Sequence, residues 1–469
     1  MSFKTERLEE LCELVIDCPH STPKWTDSGF IVLRNQNIRN GIIDLSTPSF
    51  TDETDYRARV KRAIPQTDDI VFTREAPMGE VCLIPEGLQC CLGQRQVLLR
   101  ANKKINPHYL FWALQSPYVR HQISWNEGTG TTVSNVRIPV IKDLKIPRLG
   151  AIENYIADVM NSVSMKSLTN LKINQTLEQM AQALFKSWFM DFEPVKAKIT
   201  VLEAGGTVEN AMLAAMTAIS GKDGTALAVF AREHPEQYSE LRTTAELFPA
   251  AMQESELGYI PLGWDIEKLG SIIEFNPKRT LKKGAIAPYL DMKNVPTNGH
   301  SAQDVIYREF SSGTKFKNGD TLLARITPCL ENGKTAYVDF LSSYDSVGWG
   351  STEFIVMRAN KELPSSISYF FARLDSFRAV AIQSMQGTSG RQRADASVLD
   401  NHLWVMPPKE LLQKFGIFGD SILGSNKSRY LENKSLSQLR DALLPKLLSG
   451  EITLPEAEVW VAQTEPQDV

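Results

Sequence analysis

VLLRANKKINPHYLFWALQSPYVR, residues 97–120, and IVMRANKELPSSISYFFARLDSFR, residues 355–378, are two copies of one pattern. In both, an apolar, β-like run leads into the tetrapeptide Arg-Ala-Asn-Lys, residues 100–103 and 358–361, and a helix-like run follows. The helix-like runs agree in kind, with Tyr109, Leu110, Phe111 and Leu114 against Tyr369, Phe370, Phe371 and Leu374. Other landmarks keep the same order. DIVFTR (69–74) matches DTLLAR (320–325), GTGTT (128–132) matches GTSG (387–390), and LKIP (144–147) matches LWVMP (403–407). Four landmarks in one order identify a duplicated block. Such self-similarity bounds the architecture before any local propensity is weighed.

Each block is followed by a long helical pattern. The first runs over about 154–189 without Gly or Pro. A heptad frame puts Ile156, Val163, Asn170, Leu177 and Leu184 on one seam and Val159, Lys166, Ile173, Met180 and Ser187 on the other. That is a coiled-coil-like seam, and Asn170 within it favours one register. The second runs over about 411–448. Phe415, Ile422, Leu436 and Leu443 hold one seam, interrupted at Arg429, and Phe418 and Leu439 support the other. Gly416 and Gly419 blur its start, Gly424 weakens its middle, and Pro445 and Gly450 mark its end. Inside the blocks, short β-like runs at 30–34, 70–74, 80–84, 97–100, 289–291, 321–325, 335–338 and 354–358 alternate with Gly/Asn/Asp/Pro turns, so each block reads as mixed α/β. The expected boundaries are a first block at 1–150, a central helix at 151–196, a partly helical insertion or linker at 197–250, a second block at 251–410, a closing helix at 411–450 and a tail at 451–469.

Composition places the chain among globular proteins: 469 residues, 42% hydrophobic and 23% charged. No apolar run approaches the ~18–20 residues that span a bilayer, and residues 1–14 lack the apolar core of a signal peptide. Six cysteines form no C-x-x-C pair and no metal-ligand spacing, which points to a reduced, cytoplasmic protein. Net charge is −4, but the acidity is uneven. Residues 1–150 carry 19 Lys/Arg against 17 Asp/Glu, residues 251–410 carry 18 against 18, and the remainder carries 14 against 20. The two blocks are the least acidic parts of the chain, a weak sign that they face something anionic.

Catalytic signatures are missing. Gly333-Lys334-Thr335 imitates a phosphate loop, yet Pro328 stands where the loop needs its first Gly, so the segment reads as a turn entering a strand. There is no G-x-G-x-x-G after a strand, no G-x-S-x-G and no H-E-x-x-H. His20, His108, His121, His234, His300 and His402 are scattered, and Glu193 and Lys196, though spaced like a nuclease pair, lack a preceding Asp on a strand.

Polar loops remain. Arg and Lys read guanine and Asn and Gln read adenine by paired hydrogen bonds in the major groove. Arg34, Asn35 and Asn37 follow a β-like run; Gln94 and Arg95 have the same character, and Arg74 closes the first DIVFTR segment. The Gly-Thr segment of the first block offers Thr129, Thr131, Thr132, Asn135 and Arg137; its counterpart offers Thr388, Ser389, Arg391, Gln392 and Arg393. Lys293, Asn294 and Arg325 complete the candidates in the second block. Hydroxyls and backbone amides in such loops suit phosphate contacts, which set register rather than sequence. Clusters at Arg57, Arg59, Lys61 and Arg62 and at Lys278, Arg279, Lys282 and Lys283 are further candidate phosphate grips. Each of these loops and clusters also reads as ordinary solvated surface.

The whole pattern resembles the specificity subunit of type I restriction–modification systems. The likeness rests on the two blocks, the GTSG-type loop, LGYIPLGW at 257–264, NQTL through ALFKSWF at 174–189, and NKSL with LRDALLPKLLSG at 433–450. It implies an α+β architecture of two tandem mixed α/β target-recognition domains, each followed by a long helix, the helices packing as an antiparallel coiled-coil-like spacer with pseudo-twofold symmetry. It also implies a non-catalytic reader of an asymmetric, bipartite double-stranded DNA site. The partners it implies are two methyltransferase (modification) subunits and restriction/translocase subunits, with no membrane. This chain would bind no cofactor or metal; S-adenosylmethionine, ATP and Mg would sit on the partners. Ile173, Leu177, Met180, Leu184, Leu436, Leu439, Leu443 and Leu447 are the expected partner-binding positions on the helices. A helix of ~30 residues is ~45 Å long, a ruler that suits half-sites ~34 Å apart. Residues 197–250 depart from the simplest family pattern. The alternative reading is a duplicated protein-interaction scaffold with a helical dimerisation stalk, which steep salt dependence of DNA binding would exclude.

Overall fold

Period-two alternation in one strand of each block decides the layering. The computed structural model describes residues 3–45, 47–125, 135–343, 345–387 and 392–452. In the first block the main strands are β1 (Cys12–Asp17), β2 (Phe30–Leu33), β3 (Ile70–Thr73), β4 (Val81–Leu83), β5 (Cys90–Leu92) and β6 (Gln96–Ala101), followed by helix α1 (Pro107–Gln115). An antiparallel sheet runs β1-β6-β3-β4, with Val97 opposite both Asp17 and Phe72. Successive side chains of a strand point to opposite faces. Val97, Leu99, Ile70 and Phe72 therefore pack on α1, while Leu98 and Val71 pack on Leu33, Cys90 and Leu92 of the second sheet, whose β2 and β5 pair in parallel. The result is a helix layer, a central sheet and an outer sheet. Asn106 caps α1 by accepting from the His108 amide at 2.8 Å, and Pro107 occupies the first turn, where no amide hydrogen is needed.

After the central helix (Ile152–Phe189), residues 193–246 form four helices: α2 (Glu193–Glu203), α3 (Val208–Ser220), α4 (Gly224–Glu233) and α5 (Pro235–Glu246). The expected partly helical linker is thus almost wholly helical. Glu193 and Lys196 lie exposed on α2, as its solvated face. Thr207 and Asp223 cap α3 and α4. The segment is also part of a core: Ala215, Met216, Leu227, Ala245 and Phe248 join Phe185, Phe189 and Trp264. Lys198 is buried, and its ammonium donates to the carbonyls of Ala245 at 2.7 Å and Phe248 at 2.5 Å. Burial lowers its pKa.

The second block repeats the first with β7 (Ile273–Phe275), β8 (Ile286–Leu290), β9 (Asp320–Ala324), β10 (Thr335–Tyr337), β11 (Gly348–Gly350), β12 (Phe354–Ala359) and helix α6 (Ser366–Arg373). Its antiparallel sheet runs β7-β12-β9-β10, and β8 pairs with β11 in parallel. Ile355, Met357 and Leu323 face α6, whereas Phe354, Val356 and Leu322 face Leu290 and Phe316. The recurring tetrapeptide has a structural reason. Arg100 donates to both carboxylate oxygens of buried Asp69 at 2.8 Å, and Arg358 donates to buried Asp320 in the same place. Gly333 is a turn residue at φ +71° before β10, as read from sequence.

The chain divides into two units, residues 1–169 with 432–469, and residues 170–431. The division falls inside both the central helix and the closing helix (Lys409–Ser449), so neither helix stands apart from the α/β blocks. Within each unit the two helices run antiparallel. In the first, Lys166 pairs with Glu432 at 3.2 Å and Val163 packs on Leu436 and Leu439. In the second, Asn174 and Asn426 exchange side-chain-to-carbonyl hydrogen bonds at 3.0 and 3.3 Å, and Phe185 meets Phe415 with ring centroids 5.0 Å apart.

The seams differ from the heptad expectation. Ile156, Val163 and Asn170 are buried, but the pattern then shifts by one residue to Glu178 and Phe185, leaving Leu177 and Leu184 half-buried. The other seam is Glu153, Met160, Ala181 and Trp188, not Val159, Lys166, Ile173, Met180 and Ser187. Polar residues whose hydrogen bonds are satisfied within the fold occupy seam positions, so an apolar count misplaces the frame. Glu153 caps its own helix by accepting from Leu149 and Gly150 and pairs with Arg148 at 2.9 Å; Glu178 accepts from the Tyr369 hydroxyl. The closing helix starts at Lys409, so Gly416 and Gly419 lie inside it rather than at its start. A Cβ would lie 2.7 Å from Pro364 at Gly416 and 2.6 Å from the Phe370 ring at Gly419, so glycine lets α6 approach closely. Pro445 likewise sits inside the helix, which continues to Ser449. Among the described residues, no helix is long and apolar enough to cross a membrane.

Candidate nucleic-acid interface

The loops at the β5–β6 end of the first sheet bring most of the first block's candidate residues together. Trp25 is 47% exposed, and the Arg34 guanidinium lies over its ring at 5.2 Å. Asn35 donates to the Glu75 carbonyl. Arg95, in the left-handed region at φ +65°, pairs with the Glu75 carboxylate at 3.0 Å and accepts the Arg74 amide on its carbonyl at 2.9 Å. Gln94 donates to the His20 carbonyl at 2.7 Å. Arg137 is exposed at the start of a short helix, and Asn135 is half-buried beside it. Together they form a polar edge with a flat aromatic, suited to base edges and backbone phosphates.

Two first-block candidates belong to the scaffold. Asn37 is 3% exposed; it accepts from the Arg34 amide and donates to the Asp44 carbonyl, both at 2.9 Å, closing its own turn. Arg74 is held by Asp17 at 3.1 Å and donates to the Val136 carbonyl at 3.1 Å, so it pins the segment carrying Asn135 and Arg137 rather than reaching outward. Within the basic cluster, Arg59 is buried and donates to the carbonyls of Leu92 and Ser21.

The second unit builds the matching edge with opposite placement of charge. Glu353 takes the position of Arg95, accepting the Arg325 amide at 2.9 Å, and Arg393 donates to its carboxylate at 2.7–3.0 Å. The Arg393 guanidinium holds the Glu353 carboxyl below the usual carboxylate range. The Gln392 and Thr327 backbones and the Thr327 hydroxyl bind each other at 3.1–3.2 Å, fixing this loop. Arg325 forms no ion pair among the described residues. With Arg279, Lys315, Asn276 and Thr314 it lines a groove of about 310 Å³. The Nε atoms of Arg279 and Arg325 are buried without a hydrogen-bond partner, while the Arg279 guanidinium also donates to Asp320 at 3.3 Å. Sequence reasoning missed Lys315, Trp25 and the two glutamates, because nothing local ties Lys315 to a strand 10 residues away or Glu353 to Arg393. Lys293 is exposed on a turn whose Asn294 donates to the Asp304 carbonyl at 3.2 Å, a turn-closing role. Thr129, Thr131, Thr132, Thr388, Ser389 and Arg391 lie outside the described residues.

The helix positions divide. Ile173 and Met180 are 37% and 55% exposed, leaving an apolar stripe open on the central helix. Leu436, Leu439, Leu443 and Leu447 are buried in the first unit against Val163, Ile156 and Met160, so they serve the chain's own core and not a docking face.

Comparison with known proteins follows the same line. Residues 2–179 match the type I restriction modification DNA specificity domain. The chain is 30% identical over 313 residues to the specificity subunit of the type I restriction enzyme HindI of Haemophilus influenzae, covering 64% of this chain and 67% of that one. It is 23% identical over 407 residues to the MjaIX specificity subunit of Methanocaldococcus jannaschii, covering 82% and 78%. Among solved structures, a type I restriction–modification S subunit from M. genitalium aligns over 95% of this chain and 96% of its own, at 14% identity and a TM-score of 0.48.

Proposed function

Because the chain belongs to the family of type I restriction–modification specificity subunits, we propose that its two units each read one half of a bipartite double-stranded DNA site. Its role in the complex is DNA-sequence specification, not catalysis. The observation that carries the two-half reading is the pair of equivalent edges with different chemistry. One presents Arg34, Gln94 and Arg95; the other presents Arg393 against Glu353 beside a cationic groove. One scaffold with two different reading edges fits two different half-sites, hence an asymmetric target.

In the bound state the guanidiniums of Arg95 and Arg393 would leave their glutamates for guanine edges or phosphates, and the freed carboxylate can accept from cytosine. Arg279, Lys315 and Arg325 would hold a phosphate. The modification and restriction subunits would supply methyl transfer, translocation and cleavage, with S-adenosylmethionine, ATP and Mg bound there and not on this chain. A cytoplasmic location accompanies this reading. The test is methylome sequencing of cells carrying the complete system. The expected result is a split adenine-methylated motif that disappears when this chain is deleted. Arg95→Ala should relax only one half of it and Arg393→Ala only the other. Both substitutions altering the same half, or neither altering any, would overturn the assignment of one edge to each half.

A further inference from the structure

The recurring Arg-Ala-Asn-Lys is more than scaffold at one position. Its arginines are taken up by Asp69 and Asp320. Its asparagines accept from the amides of Lys104 and Glu362, closing the turn, and Asn102 also donates to the Glu10 carbonyl. The lysines have no such task. Lys103 and Lys361 are exposed, and among the described residues neither ammonium meets a partner. The next position changes sign between the copies, Lys104 against Glu362, and Glu362 is taken up by Lys409. Only the lysine is shared without a structural reason.

Each lysine also lines a pocket in its own unit. The first has a volume of about 690 Å³ and includes Asp68, Lys103, Ile105 and Pro107; the second, about 610 Å³, includes Gly319, Lys361, Leu363 and Ser365. These positions correspond: each pocket takes the residue before the paired aspartate, the motif lysine, the apolar residue two further on and the residue two beyond that. Of the other cations of the pockets, Lys104 has no counterpart in the second copy, where Glu362 stands, and the rest are engaged. His108 faces Asp68 at 3.2 Å, Arg148 faces Glu153, and Lys427 donates to the Asp339 carbonyl. The uncompensated charge shared by the two pockets is therefore the lysine.

The lysines lie at the far strand ends from Arg95 and Glu353, and Arg279 of the cationic groove also lines a pocket with Lys361. Arg95 and Glu353 precede β6 and β12, and the lysines follow the same strands. Six residues at ~3.3 Å each put ~20 Å of strand between them. We propose that Lys103 and Lys361 are equivalent docking points for two copies of one protein partner, each presenting a carboxylate-bearing segment to a pocket. The reasoning rests on the functional reading above in one respect: DNA occupies the edges. Diverged edges serve different half-sites, whereas a feature preserved in both units serves something common to both. Two equivalent sites on one chain take two copies of the same partner.

The probe is the purified modification subunit, mixed with the full-length chain and followed by sedimentation velocity. Wild type should take two copies. Lys103→Glu and Lys361→Glu should each reduce this to one, weakening the altered site ~10-fold or more by placing like charges together, and the double variant should take none. Lys→Arg at each position should restore binding. Anisotropy of a labelled duplex at fixed salt should change less than twofold in all variants. A double variant that still takes two copies overturns the proposal. So does a loss of duplex affinity with partner binding intact, which would make the lysines phosphate contacts. A wild-type chain that binds the duplex but takes no modification subunit overturns the proposal alone; one that binds neither overturns the functional reading as well.

Discussion

Replacing Asp320 by Asn tests whether the duplicated ion pair holds each recognition unit together. Asp320 is fully buried at the start of β9. Its carboxylate accepts from Arg358 on β12, from Arg279 at 3.3 Å and from the Lys317 amide at 2.6 Å. The amide of Asn keeps the Lys317 bond but removes the charge facing two guanidiniums that are only 18% and 15% exposed. Removing one partner of a buried pair costs ~3–5 kcal/mol, because the remaining charge is left uncompensated. In a unit of this size 1 kcal/mol moves Tm by ~2–4 °C, so the expected drop is ~6–20 °C. Differential scanning calorimetry of the full chain measures it. Asp345→Asn is the control: Asp345 is 94% exposed, 3.9 Å from Lys317, and such pairs contribute little. A fall below ~2 °C for Asp320→Asn, or an equal fall in the control, would refute the argument that this carboxylate ties β9 to β12.

Two further outcomes follow from particular contacts. Phe248→Ala removes a side chain packed on Trp188 and Trp264 and should cost ~3–5 kcal/mol; limited proteolysis should then cut first within residues 193–248, whereas unchanged stability would return that segment to the status of a linker. Glu353→Gln bears on pH. The Glu353 carboxyl is held below its ordinary value by Arg393, so its contribution is present above the unfolded carboxylate pKa of ~4.3 and is lost as pH falls through the lower folded value. The Tm difference between wild type and Glu353→Gln should thus be largest near neutrality and shrink in acid; a difference independent of pH would show that the ion pair is not its source.

Much of the architecture was legible because it is carried by local and repeated signals. The paired Arg-Ala-Asn-Lys segments, the apolar β-like runs at 97–100 and 354–358, and the Gly- and Pro-free run of the central helix each report backbone geometry within a few residues. The reading edges were legible in part: of the candidate residues, Arg34, Gln94, Arg95 and Arg393 are exposed, whereas Asn35 is half-buried and donates to the Glu75 carbonyl. Asn37 and Arg74 failed as readers because their partners, Asp44 and Asp17, lie 7 and 57 residues away. Leu436, Leu439, Leu443 and Leu447 look like any apolar helix face. Whether such a face meets the chain's own core or a partner is not encoded in periodicity.

The sequence by itself therefore determined the duplication, the strand and helix types, and the family, since these follow from short-range patterns of side-chain polarity and from motif order. Only the tertiary structure decided which polar residues are struts and which are free, where the helix seams run, and that residues 193–246 belong to a core. Those outcomes depend on contacts between segments far apart in the chain: a buried carboxylate or asparagine can occupy a seam once a distant donor satisfies it, and a lysine is left for a partner only when every nearby carboxylate is already taken.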